Sequence, residues 1–208
     1  MSANVRLVRL LGEGGMGAVY SATHPVIGKQ AAIKVLSRSL CAEPAAVERF
    51  QLEARAVNQI RHPNIVDVFS IGKLHDGRSY FVMEWLQGCT LEARIHSGRM
   101  MLGEAAAILE QVCDALEAAH EKQIVHRDLK PENVFLVAVR GNRQLVKLLD
   151  FGIAKLAPGD MLRSTKPRTG VVMGTPAYMS PEQARGKSVD HRTDIYALGG
   201  MAYHMVLG

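Results

Sequence analysis

The sequence predicts an α+β protein in two parts, a small antiparallel sheet carrying one helix and then a mainly helical region. Three observations lead there. Apolar and polar residues alternate in short runs broken by glycine through the first third of the chain. A segment opened by Pro44 switches to helical spacing, and beyond Gly88 long helical periodicity takes over.

Residues 5–11, 18–23 and 30–36 read as three antiparallel strands. After Pro44, the residues Val47, Phe50, Ala54, Val57 and Ile60 fall on one helical stripe. That helix ends before His62-Pro63, because the residue preceding a proline avoids helical backbone. Residues 65–71 and 79–85 read as two more strands around a turn at His75-Asp76-Gly77. In the second part the clearest helix covers 103–122, with Ala106, Leu109, Val112, Cys113, Leu116 and Ala119 as its apolar positions. A hairpin follows, 134–139 with 144–149, turning at Gly141-Asn142, and the chain ends in an apolar helix over 194–207. With no internal repeat and no low-complexity linker, the expected division is 1–84, a joint at 85–88, and 89–208.

A chain of 208 residues with 48% hydrophobic and 22% charged content buries a sizeable core, which excludes disordered and fibrous classes. The formal charge of +5 is scattered along the chain, so no nucleic-acid partner is read from it. Cys41, Cys89 and Cys113 lack metal-site spacing and are expected to be reduced, buried thiols. No apolar run of membrane-spanning length occurs, and residues 1–9 are charged where a signal peptide is apolar. No membrane segment in this chain and a cytoplasmic location are the expectation.

The chemistry concentrates in a few segments. Gly12-Glu13-Gly14-Gly15-Met16-Gly17-Ala18-Val19 is a pattern whose glycines let backbone approach phosphate oxygens. It is unspecific alone. In a dinucleotide-binding fold it would open a helix, but here strand-like Ala18-Val19-Tyr20 follows, so a hairpin flap over phosphates fits better. Lys34 lies on an apolar strand that turns its ammonium inward, where it needs an anionic partner; Glu53 on the next helix can supply a carboxylate. Between His126 and Asn133, the run His-Arg-Asp-Leu-Lys-Pro-Glu-Asn combines the carboxylate of Asp128, the cation of Lys130 and the amide of Asn133. A carboxylate can accept a hydroxyl proton, a cation can offset charge on a moving phosphoryl group, and an amide oxygen suits Mg²⁺. Asp150, in Asp150-Phe151-Gly152, adds a second hard oxygen ligand. Taken singly, Asp128 could cap a turn, Asn133 could start a strand and His126 could sit in a core; the joint pattern sets these readings aside.

Together these segments resemble the protein-kinase signature along the whole chain. The resemblance implies a two-lobed kinase-like fold, with the sheet and one helix in the first lobe and a mainly helical second lobe. It implies that Lys34 holds ATP phosphates with Glu53 as its partner, that Asp128 is the catalytic base beside Lys130, and that Asn133 and Asp150 hold Mg²⁺, or Mn²⁺ in its place. It further implies a nucleotide site of Leu11, Gly12, Gly14, Gly17, Val19, Ala32, Met83, Glu84, Leu86 and Phe135. The catalytic loop is similar to that of Ser/Thr kinases, and the wording Gly-Glu-Gly-Gly-Met-Gly and Ser-Pro-Glu-Gln-Ala is similar to bacterial members. Thr175, in the segment 174–182, looks like part of the substrate-docking end, next to the catalytic loop. Arg127 resembles the arginine that pairs with an activation-loop phosphate, for which Thr169 and then Thr165 and Ser164 are the candidates. A phosphate there would add about −1.5 to −2 charge. Protein substrates with Ser or Thr acceptors, and self-association for autophosphorylation, follow as expectations.

The family's second lobe continues through several helices beyond Gly208, so the resemblance implies a C-terminally truncated lobe lacking its last helices. The full-length protein could carry a membrane anchor after that residue. On this view Ile195, Leu198, Met201, Met205, Val206 and Leu207 would lose packing partners, while Asp194 would still brace the catalytic loop. The readings that remain are an active Ser/Thr kinase, a truncated non-catalytic ATP-binding or interaction module, and a small-molecule phosphotransferase on the same fold. The segment 174–182 argues against the last.

Overall fold

The computed structural model describes residues 5–139, 144–151 and 176–207. The chain divides into two compact units, residues 1–59 with 66–86 and residues 60–65 with 87–208.

The first unit is an antiparallel sheet of β1 (Arg6–Gly14), β2 (Gly17–Thr23), β3 (Gln30–Leu36), β4 (Val68–Lys73) and β5 (Ser79–Glu84), in the order β1-β2-β3-β5-β4. Register decides which side chains share a face. Val19 pairs with Lys34, Lys34 with Phe81, and Ala32 with Met83, so these residues line one face. Ile33, Val35, Tyr80 and Val82, with Ala22 and Ala31, form a buried cluster on the other. A short helix α1 (Arg38–Cys41) is started by the Ser37 hydroxyl, and α2 (Pro44–Ile60) follows. Ala46, Phe50, Glu53, Ala54, Val57 and Ile60 form the buried stripe of α2, and the Phe50 ring stacks on Phe81 at 4.9 Å. Proline suits the first turn of α2 because its missing N–H has no helical partner there.

The second unit holds β6 (Gly88–Thr90), α3 (Leu91–His96), α4 (Leu102–Glu121), a 3₁₀ turn at Pro131–Asn133, β7 (Val134–Ala138), β8 (Gln144–Leu148), another 3₁₀ turn at Pro176–Tyr178, α5 (Pro181–Ala184) and α6 (Arg192–Leu207). β6, β7 and β8 form a small antiparallel sheet. The helix α4 packs against β8 and α6.

Several expectations are corrected. The stretch 65–71 becomes strand only from Val68. Before it, Asn64 donates its side-chain amide to the Val146 carbonyl and accepts from Leu148 N at 2.8 Å each, while Ile65 bridges Leu148, so β8 captures this segment. On α4 the buried stripe is Ala105, Ile108, Val112, Ala115, Leu116 and Ala119, which leaves Ala106 and Cys113 exposed. Cys89 is exposed and Cys41 half-buried, so all three cysteines are free thiols but none is buried. The apolar end helix keeps more packing than expected: Met201 and Met205 are buried, Leu198 and Val206 half-buried, and only Ile195 and Leu207 of that set exposed. Four short elements, α1, β6, α3 and α5, were not foreseen.

Candidate active site

In the first unit the glycine segment is the tip of the β1-β2 hairpin, as the strand-like residues after it implied. Gly14 pairs with Gly17 across a two-residue turn. The glycines differ in what they face. At Gly17, with φ of 147°, an added Cβ would collide with the Val35 carbonyl oxygen, so only glycine lets β2 lie this close to β3. At Gly12 and Gly14 a Cβ would meet nothing within 4 Å, so packing does not require glycine there.

Lys34 and Glu53 are both buried, and Lys34 Nζ lies 3.5 Å from Glu53 Oε1. The ammonium also sits 5.7 Å from the Phe81 ring centre. A buried ammonium is stable only when charge or dipoles compensate it, and the α2 carboxylate provides this. Val19 is half-buried and Ala32 buried on the same sheet face as Lys34, with Met83 half-buried opposite Ala32. Leu11 is exposed near the hairpin, and Glu84 and Leu86 are half-buried at the end of the unit. Glu84 grips Asp67 twice, its N donating to the Asp67 carbonyl and its Oε1 accepting from Asp67 N.

The second unit assembles the catalytic-loop residues. Asn133 is buried, and its amide nitrogen donates to the Asp128 carbonyl at 2.8 Å and to Asp128 Oδ2 at 3.1 Å. The amide nitrogen is thereby engaged with Asp128, and Oδ1 is the acceptor end of the group. Leu149 N donates to the Asn133 carbonyl at 2.8 Å, continuing the β7-β8 ladder by one pair and delivering Asp150 beside this loop. Asp150 has φ of 45°. An amide oxygen and a carboxylate are hard oxygen donors, so Asn133 and Asp150 fit a Mg²⁺ ion. Lys130 Nζ lies 3.7 Å from Glu132 Oε1, and Phe135 is half-buried on β7.

The loop backbone is held from behind. Asp194 is buried on α6, and its carboxylate accepts from His126 N, Arg127 N and His120 Nε2, all at 2.8 Å. Arg127 takes a left-handed φ of 64°, which for a side-chain-bearing residue costs about 1–2 kcal/mol. Its carbonyl accepts from Gln183 Nε2 at 2.8 Å. His126 is fully buried, tilted against the Phe151 ring at 4.6 Å, with Nε2 3.0 Å from the Leu149 carbonyl. A carbonyl only accepts, so Nε2 carries the hydrogen. Burial pushes the His126 pKa down, against a smaller opposing pull from Asp194, Asp128 and Asp150. The ring is therefore neutral at pH 7.

An open cleft in this unit is lined by Asp128, Lys130, Tyr178, Met179 and Gln183 among others. Tyr178 is hydrogen-bonded to His204 Nδ1 at 2.6 Å, and burial raises its phenol pKa to about 12. The phosphate-acceptor candidates Thr169, Thr165 and Ser164, and the substrate-docking candidate Thr175, fall outside the described residues. Sequence reasoning missed His120 and Gln183. His120 carried no local signal, whereas Ser180-Pro181-Glu182-Gln183 has the spacing of a capping box.

This arrangement is that of the protein kinase fold. The crystal structure of the PknI kinase domain of Mycobacterium tuberculosis matches with a TM-score of 0.73 and 32% identity, over 98% of this chain and 74% of that one. The model of the protein kinase domain family matches residues 5–208, and the chain belongs to that family. Among similar proteins, the serine/threonine-protein kinase Pkn1 of Myxococcus xanthus is 51% identical over 98% of this chain and 29% of its own length. The kinase pkn3 of the same organism is 42% identical over 98% of this chain and 37% of its own length. A probable kinase PknB of Corynebacterium glutamicum is 44% identical over 96% and 30%. The chain thus spans about a third of the length of these relatives. It is a kinase domain of the bacterial Ser/Thr type, a family that uses ATP and Mg²⁺ to phosphorylate proteins. Among the described residues no helix is long and apolar enough to cross a membrane.

Proposed function

We propose that this chain transfers the γ-phosphoryl group of ATP to Ser or Thr hydroxyls of proteins. The observation that carries the reading is the double hydrogen bond from the Asn133 amide nitrogen to the Asp128 carbonyl and carboxylate, which fixes the carboxylate. Asp128 orients the acceptor hydroxyl and takes its proton as the oxygen bonds to the γ-phosphorus and the bond to the ADP oxygen breaks. Lys130 offsets charge on the transferred group, and Lys34, held by Glu53, binds the ATP phosphates. Mg²⁺ held by Asn133 and Asp150 would neutralise phosphate charge.

Gly12, Gly14 and Gly17 would bring backbone N–H groups to the phosphates, and the open space beside Gly12 and Gly14 supports this. Leu11, Val19, Ala32, Met83, Glu84, Leu86 and Phe135 would hold the adenine. Arg127 would receive a phosphate on Thr169, Thr165 or Ser164, added by a second copy of the protein, and Thr175 would face the substrate.

The test is incubation of the protein with labelled ATP, Mg²⁺ and a Ser/Thr-containing protein acceptor, alongside Asp128→Asn. Label on acceptor Ser or Thr that falls by at least about 100-fold in Asp128→Asn supports the mechanism. Undiminished transfer by Asp128→Asn overturns it. Nucleotide binding with no transfer by the native protein would favour the non-catalytic module.

A further inference from the structure

We infer that Gln183 is a positioning residue for the catalytic loop, holding the peptide between Arg127 and Asp128 so that Asp128 is presented in one orientation. Its effect on turnover rests on the kinase reading above.

The two peptide groups around Arg127 are held from two different elements. Asp194 of α6 accepts from Arg127 N, and Gln183 of α5 donates Nε2 to the Arg127 carbonyl. A left-handed φ of 64° at a residue with a side chain persists only where its surroundings enforce it. Asp194 fixes the plane before Arg127, and Gln183 fixes the plane after it. That second plane contains Asp128 N, so its tilt sets the direction in which the Asp128 side chain leaves the backbone.

Gln183 can do this because its other end is anchored. Its Oε1 accepts from Ser180 N at 3.1 Å, while the Ser180 hydroxyl accepts from Gln183 N, the reciprocal capping box at the start of α5. Ser180 is itself buried and bonded to Thr193 of α6 at 2.6 Å. The side-chain amide therefore has a defined orientation, with oxygen toward the cap and nitrogen toward the loop. A capping box needs only the oxygen, and glutamate serves it as well as glutamine. Among the described residues, the requirement for a donor comes from the Arg127 carbonyl.

This separates the two roles. Gln183→Glu keeps the cap, loses the donor, and sets a carboxylate against a carbonyl oxygen. Its carboxyl regains an O–H when protonated, and with it the bond to Arg127. Gln183→Met keeps the length and removes both donor and acceptor. In the full-length protein, Gln183→Glu is expected to lower kcat by roughly tenfold, the worth of one such hydrogen bond, with KM for ATP within about twofold. The ratio of its kcat to the native value should climb as pH is lowered from about 8 to about 5.5, whereas the ratio for Gln183→Met should stay flat and low. Amide hydrogen exchange across 126–130 should quicken in both variants, with exchange in α6 unchanged.

Native kcat in Gln183→Glu, a pH profile parallel to the native one, or unchanged exchange across 126–130 would each overturn the inference. If the native protein transfers no phosphate while exchange in the loop still quickens, the kinase reading fails and the positioning role stands.

Discussion

Replacing Asp194 by asparagine tests how the catalytic loop is supported. The carboxylate is 1% exposed and accepts three hydrogen bonds, two from loop backbone and one from His120, each 2.8 Å long. In the Asp194→Asn variant the single amide oxygen can replace Oδ2, keeping His126 N and His120. The amide nitrogen then takes the place of Oδ1 and faces Arg127 N, donor against donor. The opposite amide rotamer keeps Arg127 N but sets the amide nitrogen against His126 N, and it keeps His120 by donating to that ring in its other tautomer. Either arrangement forfeits one charge-assisted bond and leaves one N–H unpaired, about 2–3 kcal/mol. Against a total stability of about 5–15 kcal/mol the protein stays folded at 25 °C with a much lower urea midpoint. Urea unfolding followed by far-UV circular dichroism measures the loss, and phosphotransfer should fall with it because Arg127 N, or His126 N in the opposite rotamer, is no longer held. A midpoint shift worth less than about 0.5 kcal/mol would refute the reasoning, since surface substitutions alone stay within that range.

Four further outcomes are expected. Gly17→Ala should cost at least about 2 kcal/mol by chemical denaturation, because its Cβ would collide with the Val35 carbonyl oxygen. Gly14→Ala, with nothing within 4 Å, should leave stability within about 0.5 kcal/mol yet raise KM for ATP. Glu53→Gln should destabilise by up to about 3–5 kcal/mol by removing one member of a buried pair, while Lys34→Met with Glu53→Leu should recover stability and stay inactive in transfer. Burial depresses the His126 pKa in the folded state, so the unfolded chain binds this proton first. Its contribution is complete above the unfolded value of about 6.5 and is lost as pH falls below it. The thermal midpoint should drop between pH 7 and pH 5 in the native protein and less steeply in His126→Asn.

How much was legible follows from the range of each interaction. Strand alternation and the stripe on α2 are local patterns, and β3 and α2 have the predicted extents, 30–36 and 44–60. The loop from His126 to Asn133 carries its residue types in one short run, so it could be read directly. The pairing of Lys34 with Glu53 was readable because each sits on a strongly patterned element. What was missed depends on distant partners. Nothing near Asn64 announces that Val146 and Leu148 will hold it, and that capture moved the start of β4. The buried stripe of α4 keeps Val112, Leu116 and Ala119 but takes Ala105, Ile108 and Ala115 in place of Ala106, Leu109 and Cys113, a choice that an Ala-rich helix does not reveal. The helix α3 has six residues, too few for periodicity, although Thr90 as its N-cap was a usable sign.

The same distinction bears on how the candidate site is stabilised. Asp128, Lys130 and Asn133 lie within a few positions of one another, but the backbone that presents them is held from other elements. Arg127 is left-handed, and the groups that hold it, Asp194 and Gln183, come from α6 and from the start of α5. Ser180 and Thr193 tie those two elements together through a buried hydroxyl pair. Local unfolding of α5 and α6 would therefore release the loop even if its own hydrogen bonds from Asn133 persisted. Docking of residues 180–194 is therefore expected to fix the final geometry of the loop, because Asp194 and Gln183 hold the two peptide groups around the left-handed Arg127.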